Sequence, residues 1–182
     1  IFFFPYLING VAISLMFLFF FQPEGTLDTV MKIFGLEKYI TLWLGNENMV
    51  NYSLAFTSVW RYIGYSFIIF LGAMQSVSTE VLEAAEIDGA GEWHKIRYIL
   101  IPSVKNIIKL NLILNISGAI SVFEIPYIMT GGANGSSTFV IETMNTAFKF
   151  NQVGKASAMA VVVMFIVATV ALIQNIFFKE EK

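Results

Sequence analysis

Residues 83–102, EAAEIDGAGEWHKIRYILIP, gather Glu83, Glu86, Asp88, Glu92, Lys95 and Arg97 around the single histidine of the chain, His94. Acid–base catalysis would need a titrating pair facing one pocket. A metal site would need His or Cys at ligand spacing, but His94 has no second His beside it and the chain has no Cys. No Ser/His/Asp set assembles either, because His94 sits at the wrong end of the stretch. A second stretch, GGANGSST, has the glycines of a phosphate loop but lacks the lysine that must reach the phosphates. Two readings of the charged stretch remain on physical grounds: an ordinary solvated loop with balanced charges, or a surface offered to a protein partner through charge-assisted hydrogen bonds.

The rest of the chain decides what such a surface is mounted on. Of its 182 residues 57% are hydrophobic and only 13% charged, with 18 Phe and 8 Met, against about 25% charged in an average soluble domain. Such a chain cannot cover its apolar surface with polar groups, so its solvent must largely be lipid. A net charge of −2 argues against nucleic-acid binding. The absence of Cys excludes disulfides, thiolate metal sites and cysteine nucleophiles. The opening IFFFPYLING has neither a basic leader nor a cleavage site, so residue 1 is expected at or inside a membrane helix, with upstream sequence missing.

A spanning helix needs about 20 mostly apolar residues. Four segments qualify: 2–21, 52–77, 104–128 and 156–178. They are too long and too uniform to be strands, and helices satisfy their own backbone hydrogen bonds in lipid. The expected fold class is an all-α membrane protein with a single transmembrane domain over 1–182. Connection 22–51 should hold a short interfacial helix near 27–34. Connection 129–155 should hold a glycine-rich turn and a short helix over 139–150. Lys95, Arg97, Lys105 and Lys109, joined by Lys179 and Lys182, place loop 78–103 and both chain ends in the cytoplasm by the positive-inside rule.

Within that loop Ser78 suits a helix N-cap and Glu80 the positive end of the helix dipole. Val81, Leu82, Ala84, Ala85 and Ile87 form an apolar face. Gly89 and Gly91 are expected to stop the helix, and Pro102 suits the first turn of the next one. The loop is thus expected to contain one short helix lying across the membrane face.

Glu83-Ala84-Ala85, Gly89 and Ile99-Leu100-Ile101-Pro102 resemble the EAA motif of bacterial ABC importer permeases: EAA, three residues, G, nine residues, I-x-L-P. Ile101 stands where Leu is usual. AAEIDGAG resembles the carbohydrate-uptake branch, relatives of the maltose and glycerol-phosphate permeases. So do FFFPYLINGVAISLMF, VWRYIGYSFIIFLGAMQSV, YIMTGGANGSSTFVI and VGKASAMAVVVMFIV. The resemblance implies a type I importer transmembrane domain with about four of its six core helices present. It implies a coupling helix in which Glu83, Ala84, Ala85, Asp88 and Gly89 dock an ATPase cleft. It further implies a second permease subunit, two cytoplasmic ATP-binding subunits carrying the ATP and Mg, and an extracellular solute-binding protein facing 131–137.

Polar residues inside spans are costly and usually face a cavity or another helix. Ser58, Arg61, Tyr62 and Tyr65 share one helical face of the second span; Asn111, Asn115, Gly118 and Ser121 share one of the third, with Ser117 and Glu124 at its margins. These sets offer the donors, acceptors and rings a hydroxyl-rich solute needs. Each has a plainer reading as well. Arg61 can snorkel to headgroups, and Asn and Ser often bond neighbouring helices for about 0.6 kcal/mol. Resemblance to the maltose permease favours Tyr65, Gly118 and Ser121, but its key asparagines are not matched here, so the same sugar does not follow.

The expected function is a non-enzymatic permease subunit, with no cofactor of its own, in an ATP-driven, binding-protein-dependent importer of a carbohydrate, a di- or oligosaccharide, across the bacterial cytoplasmic membrane. The alternatives are a non-sugar solute such as glycerol phosphate, a membrane-embedded enzyme, which would need acid–base or metal residues clustered at one membrane face, and a passive channel, which would need no docking helix.

Overall fold

The computed structural model describes residues 2–177, whose regular elements are all helices with no strand among them. In order the helices are α1 (Phe4–Leu7), α2 (Gly10–Phe21), α3 (Thr26–Ile33), α4 (Val50–Gln75), α5 (Thr79–Ile87), α6 (Glu92–Lys95), α7 (Ile101–Ser103), α8 (Lys105–Ile120), α9 (Glu124–Thr130), α10 (Phe139–Met144) and α11 (Val153–Phe177). Three stretches are long and apolar enough to cross a membrane: Val50–Gln75, Lys105–Thr130 and Val153–Ile176. A fourth arises if Gly10–Phe21 and Thr26–Ile33, bent by 43°, form one broken span. Phe178, Lys179 and Lys182, which entered the expected fourth span and its orientation, lie outside the described residues.

Two apolar segments expected as single helices are interrupted. In the first, Asn9 turns extended and its Oδ1 accepts from the Val11 N–H at 2.8 Å, capping α2 and separating it from α1. Asparagine competes with the helix in this way because its short side chain mimics the backbone. In the third, α8 ends at Ile120 and α9 begins at Glu124. Pro126 explains the gap. It has no N–H to give the carbonyl four residues back, and that Val122 carbonyl accepts instead from Thr138 Oγ1 at 2.9 Å.

The buried core lies at one end of the molecule, where α2 and α9 pack against the start of α4. Ile13, Phe17 and Phe21 meet Val50, Leu54, Ile125 and Met129. The Phe17 ring stands edge-on to Trp60 at 5.2 Å and 68°, a favoured aromatic geometry. Two hydroxyls buried here are satisfied: Ser14 Oγ donates to Gly10 O at 2.8 Å and Thr57 Oγ1 to Ser53 O at 3.0 Å. The loops at this end are tied down too. Asn134 Nδ2 donates to Leu44 O at 2.9 Å, and Thr130 and Ser136 hydroxyls meet at 2.6 Å. At the opposite end α5, α6 and α7 contain no buried residue at all. The molecule is thus a packed head with a bare, charged foot.

Candidate functional site

The foot is built from local chemistry. Ser78 caps α5, its Oγ accepting from the Val81 N–H at 3.4 Å, with Glu80 in the first turn. The helix closes with both bonds of a Schellman motif: the Gly89 N–H reaches Glu86 O at 3.0 Å and the Ala90 N–H reaches Ala85 O at 2.9 Å. Gly89 sits at φ +82°, where a side chain would be strained. This gives the interval from Ala85 to Gly89 a structural meaning, since Ala85 supplies the carbonyl that the turn must satisfy.

Gly91 does not share that role. At φ −70° it is the residue before α6, so the expectation that two glycines stop α5 holds only for Gly89. Nor does the loop hold a single helix. The chain turns helical again at Glu92 and continues through a wider π turn, Ile96–Leu100, to Pro102. The Ile101 N–H reaches back five residues to Ile96 O. A proline crowds the carbonyl four residues before it, and a π turn just ahead relieves that crowding.

Lys95 ties the two pieces together, with Nζ 2.5 Å from Glu92 Oε1 and 3.3 Å from Glu86 Oε2. The hydrogen bond that Lys95 donates to Glu92, helped by the one to Glu86, holds the Lys95 ammonium above its ordinary pKa. Glu83, Ala84, Asp88 and Gly89 are all exposed, Ala85 is half-buried, and Ile87 is 87% exposed. His94 stacks on Tyr98 at 5.8 Å. Among the described residues no group of three or more His, Cys, Asp or Glu could hold a metal ion.

In the spans, Arg61 does not snorkel. Its Nη1 donates to Glu124 Oε2 at 2.7 Å, bringing a mid-helix residue of α4 to the break between α8 and α9. The pair sits in a notch over Gly10, where a Cβ would fall 1.9 Å from Glu124 Oε2 and 2.3 Å from Arg61 Nη1. The Arg61 guanidinium lies over the Tyr62 ring at 5.2 Å, and Tyr65 stacks on Tyr6 at 4.6 Å. Tyr6 also faces Tyr62 at 5.9 Å. Arg61, Tyr62 and Tyr65 therefore come together as one cluster, and Glu124 joins them from the margin of the other set.

The second set behaves differently. Asn111 is buried, and Asn115 Nδ2 donates to its backbone carbonyl at 2.8 Å and to its side-chain oxygen. Gly118 on α8 and Ser121, the residue after its last turn, are exposed. Among the described residues no hydrogen bond joins Asn115, Gly118 or Ser121 to α4. Ser58 and Ser117 are half-buried. A hollow of about 560 Å³ opens on the apolar flank of α2 and α4 beside Phe19 and Phe56, and none of the expected path residues lines it.

Sequence reasoning missed Tyr6 and Gly10. Gly10 carried a signal, since a glycine inside an apolar helix marks a close approach; nothing in the spacing paired Tyr6 with Tyr65.

Comparison with known proteins places this arrangement. The chain is 35% identical to the probable ABC transporter permease protein YurN of Bacillus subtilis, over 100% of this chain and 63% of that protein. It is 30% identical to the multiple sugar-binding transport system permease protein MsmF of Streptococcus mutans, over 95% of this chain and 60% of that one. It thus spans about three-fifths of the length of the curated relatives it matches. Its fold superposes with a TM-score of 0.89, at 18% identity, on a bacterial ABC transporter involved in import of the acidic polysaccharide alginate, covering 98% of this chain and 63% of that one. The family model for the binding-protein-dependent transport system inner membrane component matches residues 1–180, and the chain belongs to that family.

Proposed function

We propose that the chain serves as a permease subunit of an ATP-driven, binding-protein-dependent importer whose solute is a carbohydrate. The observation that carries this reading is the bare foot: a capped, Schellman-closed helix whose Glu83, Ala84, Asp88 and Gly89 are exposed between two spans, with Ala85 half-buried beside them. Small residues let a partner approach closely, and the two carboxylates offer charge-assisted hydrogen bonds. The partner in this reading is a cytoplasmic subunit that binds ATP and Mg. A second permease chain and an extracellular solute-binding protein complete the assembly. Family membership supports the transport role, and a relative named for multiple sugar binding supports the solute class. The chain itself is a transport component and carries out no covalent chemistry.

In mechanical terms, Lys95 couples α5 to α6, and the near-continuous helix from Glu92 to Ile120 carries the displacement towards Asn115, Gly118 and Ser121. The packed head resists deformation, so a push on the foot becomes a rigid-body rotation. The cluster of Arg61, Tyr62, Tyr65 and Tyr6 would meet the solute along the way.

The test is reconstitution with the ATPase and binding-protein subunits. Replacing Glu83 and Asp88 together by Lys should abolish both ATPase co-purification and solute uptake. Unchanged co-purification and uptake would refute the docking role. A panel of loaded binding proteins should then stimulate ATP hydrolysis with saccharides and not with glycerol phosphate.

A further inference from the structure

Helix α3 is turned inside out for a helix in water. Its one acid, Asp28, is only 4% exposed and faces the protein, where Oδ1 accepts from Trp43 Nε1 at 2.7 Å and Oδ2 from the Glu24 N–H at 2.9 Å. Leu27 packs against the core beside it. The opposite face carries Val30, Ile33 and Phe34, spaced so that they adjoin on one side of the helix, and Ile33 and Phe34 are 76% and 73% exposed. Leu36 and Tyr39 continue the exposed apolar surface.

We infer that α3 lies on the bilayer surface at the core end, with Val30, Ile33 and Phe34 immersed in the boundary between headgroups and acyl chains. The reading rests on the chain being a membrane protein and is independent of solute and ATPase. Two features favour lipid over a protein cover. α3 is bent by 43° from α2, which turns it off the direction of α2. Lys32 and Lys38 flank the greasy face, with Lys38 Nζ over the Tyr39 ring at 4.8 Å. Lysines reaching outward and Tyr and Trp at this level are the residues that anchor a segment at an interface.

Nitroxides on single cysteines test this: residues 1–182 hold no native Cys, and any cysteine elsewhere in the full-length protein is first replaced by Ser. Ile33→Cys and Phe34→Cys, with Glu47→Cys as the reference on an exposed loop of the same end, are labelled in the full-length protein assembled in phospholipid vesicles. Retained yield and uptake show that each variant folds. Collisions with oxygen should exceed those with a water-soluble nickel chelate several-fold at 33 and 34, and the order should reverse at 47. Nickel access at 33 and 34 would put α3 in water, and shielding from both reagents would put it under protein. Either result overturns the inference.

Discussion

Arg61 and Glu124, 63 positions apart in the chain, meet at 2.7 Å over the bare Cα of Gly10. Three helices are tied at that point, and each partner leaves the other stranded if removed. Arg61→Met or Glu124→Gln should lower stability by about 1–2 kcal/mol, less than for a fully buried pair because the Glu124 side chain is 41% exposed. The double substitution Arg61→Met, Glu124→Met should cost less than Arg61→Met alone. Thermal unfolding in detergent measures this; additive losses would mean the pair contributes nothing jointly.

Gly10→Ala should act through the same pair. The colliding atoms are the ends of two flexible side chains, so the helix accommodates the methyl by pushing the ion pair apart. Gly64→Ala differs in kind, because its Cβ would lie 1.7 Å from the Phe2 backbone oxygen, which cannot rotate away. Gly64→Ala should destabilise by about 1–3 kcal/mol on its own. Adding Gly10→Ala to Glu124→Gln should cost almost nothing further. The same unfolding assay distinguishes the two cases.

At Gly89 nothing lies within 4 Å of where a Cβ would stand, so only backbone strain opposes a side chain. Gly89→Ala should cost about 1 kcal/mol and Gly89→Asn less, since Asn tolerates the left-handed region. Uptake should fall in the order Gly, Asn, Ala, Val. Equal uptake for Asn and Val would show that the turn is not what partners read.

Lys95 should titrate above a free lysine, because Glu92 and then Glu86 favour its charged form. The sign follows directly: with the carboxylates ionised, the tie between α5 and α6 is complete below the ordinary lysine pKa and is lost as pH rises through the elevated one. Glu92→Gln should lower the Lys95 midpoint more than Glu86→Gln. Side-chain NMR of the Nζ group reads both shifts, and equal midpoints in all three proteins would contradict the clamp.

Tyr6 offers a test of the path. Tyr6→Ala removes the stack on Tyr65, a contact of about 0.5–1.5 kcal/mol. The solute concentration for half-maximal stimulation of ATP hydrolysis should rise about two- to tenfold with the maximal rate retained. Tyr6→Phe should behave as the parent for the stack. A fall in maximal rate without a concentration shift would make Tyr6 a packing residue only.

What could be read from the sequence was what local spacing controls. The long apolar segments, the Ser78 cap, the Gly89 stop and the short helices near 27–34 and 139–150 all follow from side chains within a turn or two of one another. The breaks at 8–9 and 121–123 were hidden because both flanks are apolar, so hydropathy sees one run. Pro126 was the legible clue to the second, through the carbonyl it leaves for Thr138. The pairing of Arg61 with Glu124 and of Tyr6 with Tyr65 belongs to the tertiary fold. A lone arginine in a span has several ways to be satisfied, and only the position of α9 selects among them.

The docking role of α5 is tested most directly by a cysteine at Ala84, on the exposed face of the helix, in intact cells expressing the whole assembly. A short bifunctional thiol reagent should link Ala84→Cys to the nucleotide-hydrolysing subunit, and a membrane-impermeant maleimide added outside should leave it unlabelled. Labelling from outside, with no adduct to an ATPase, would contradict the proposed role of this segment.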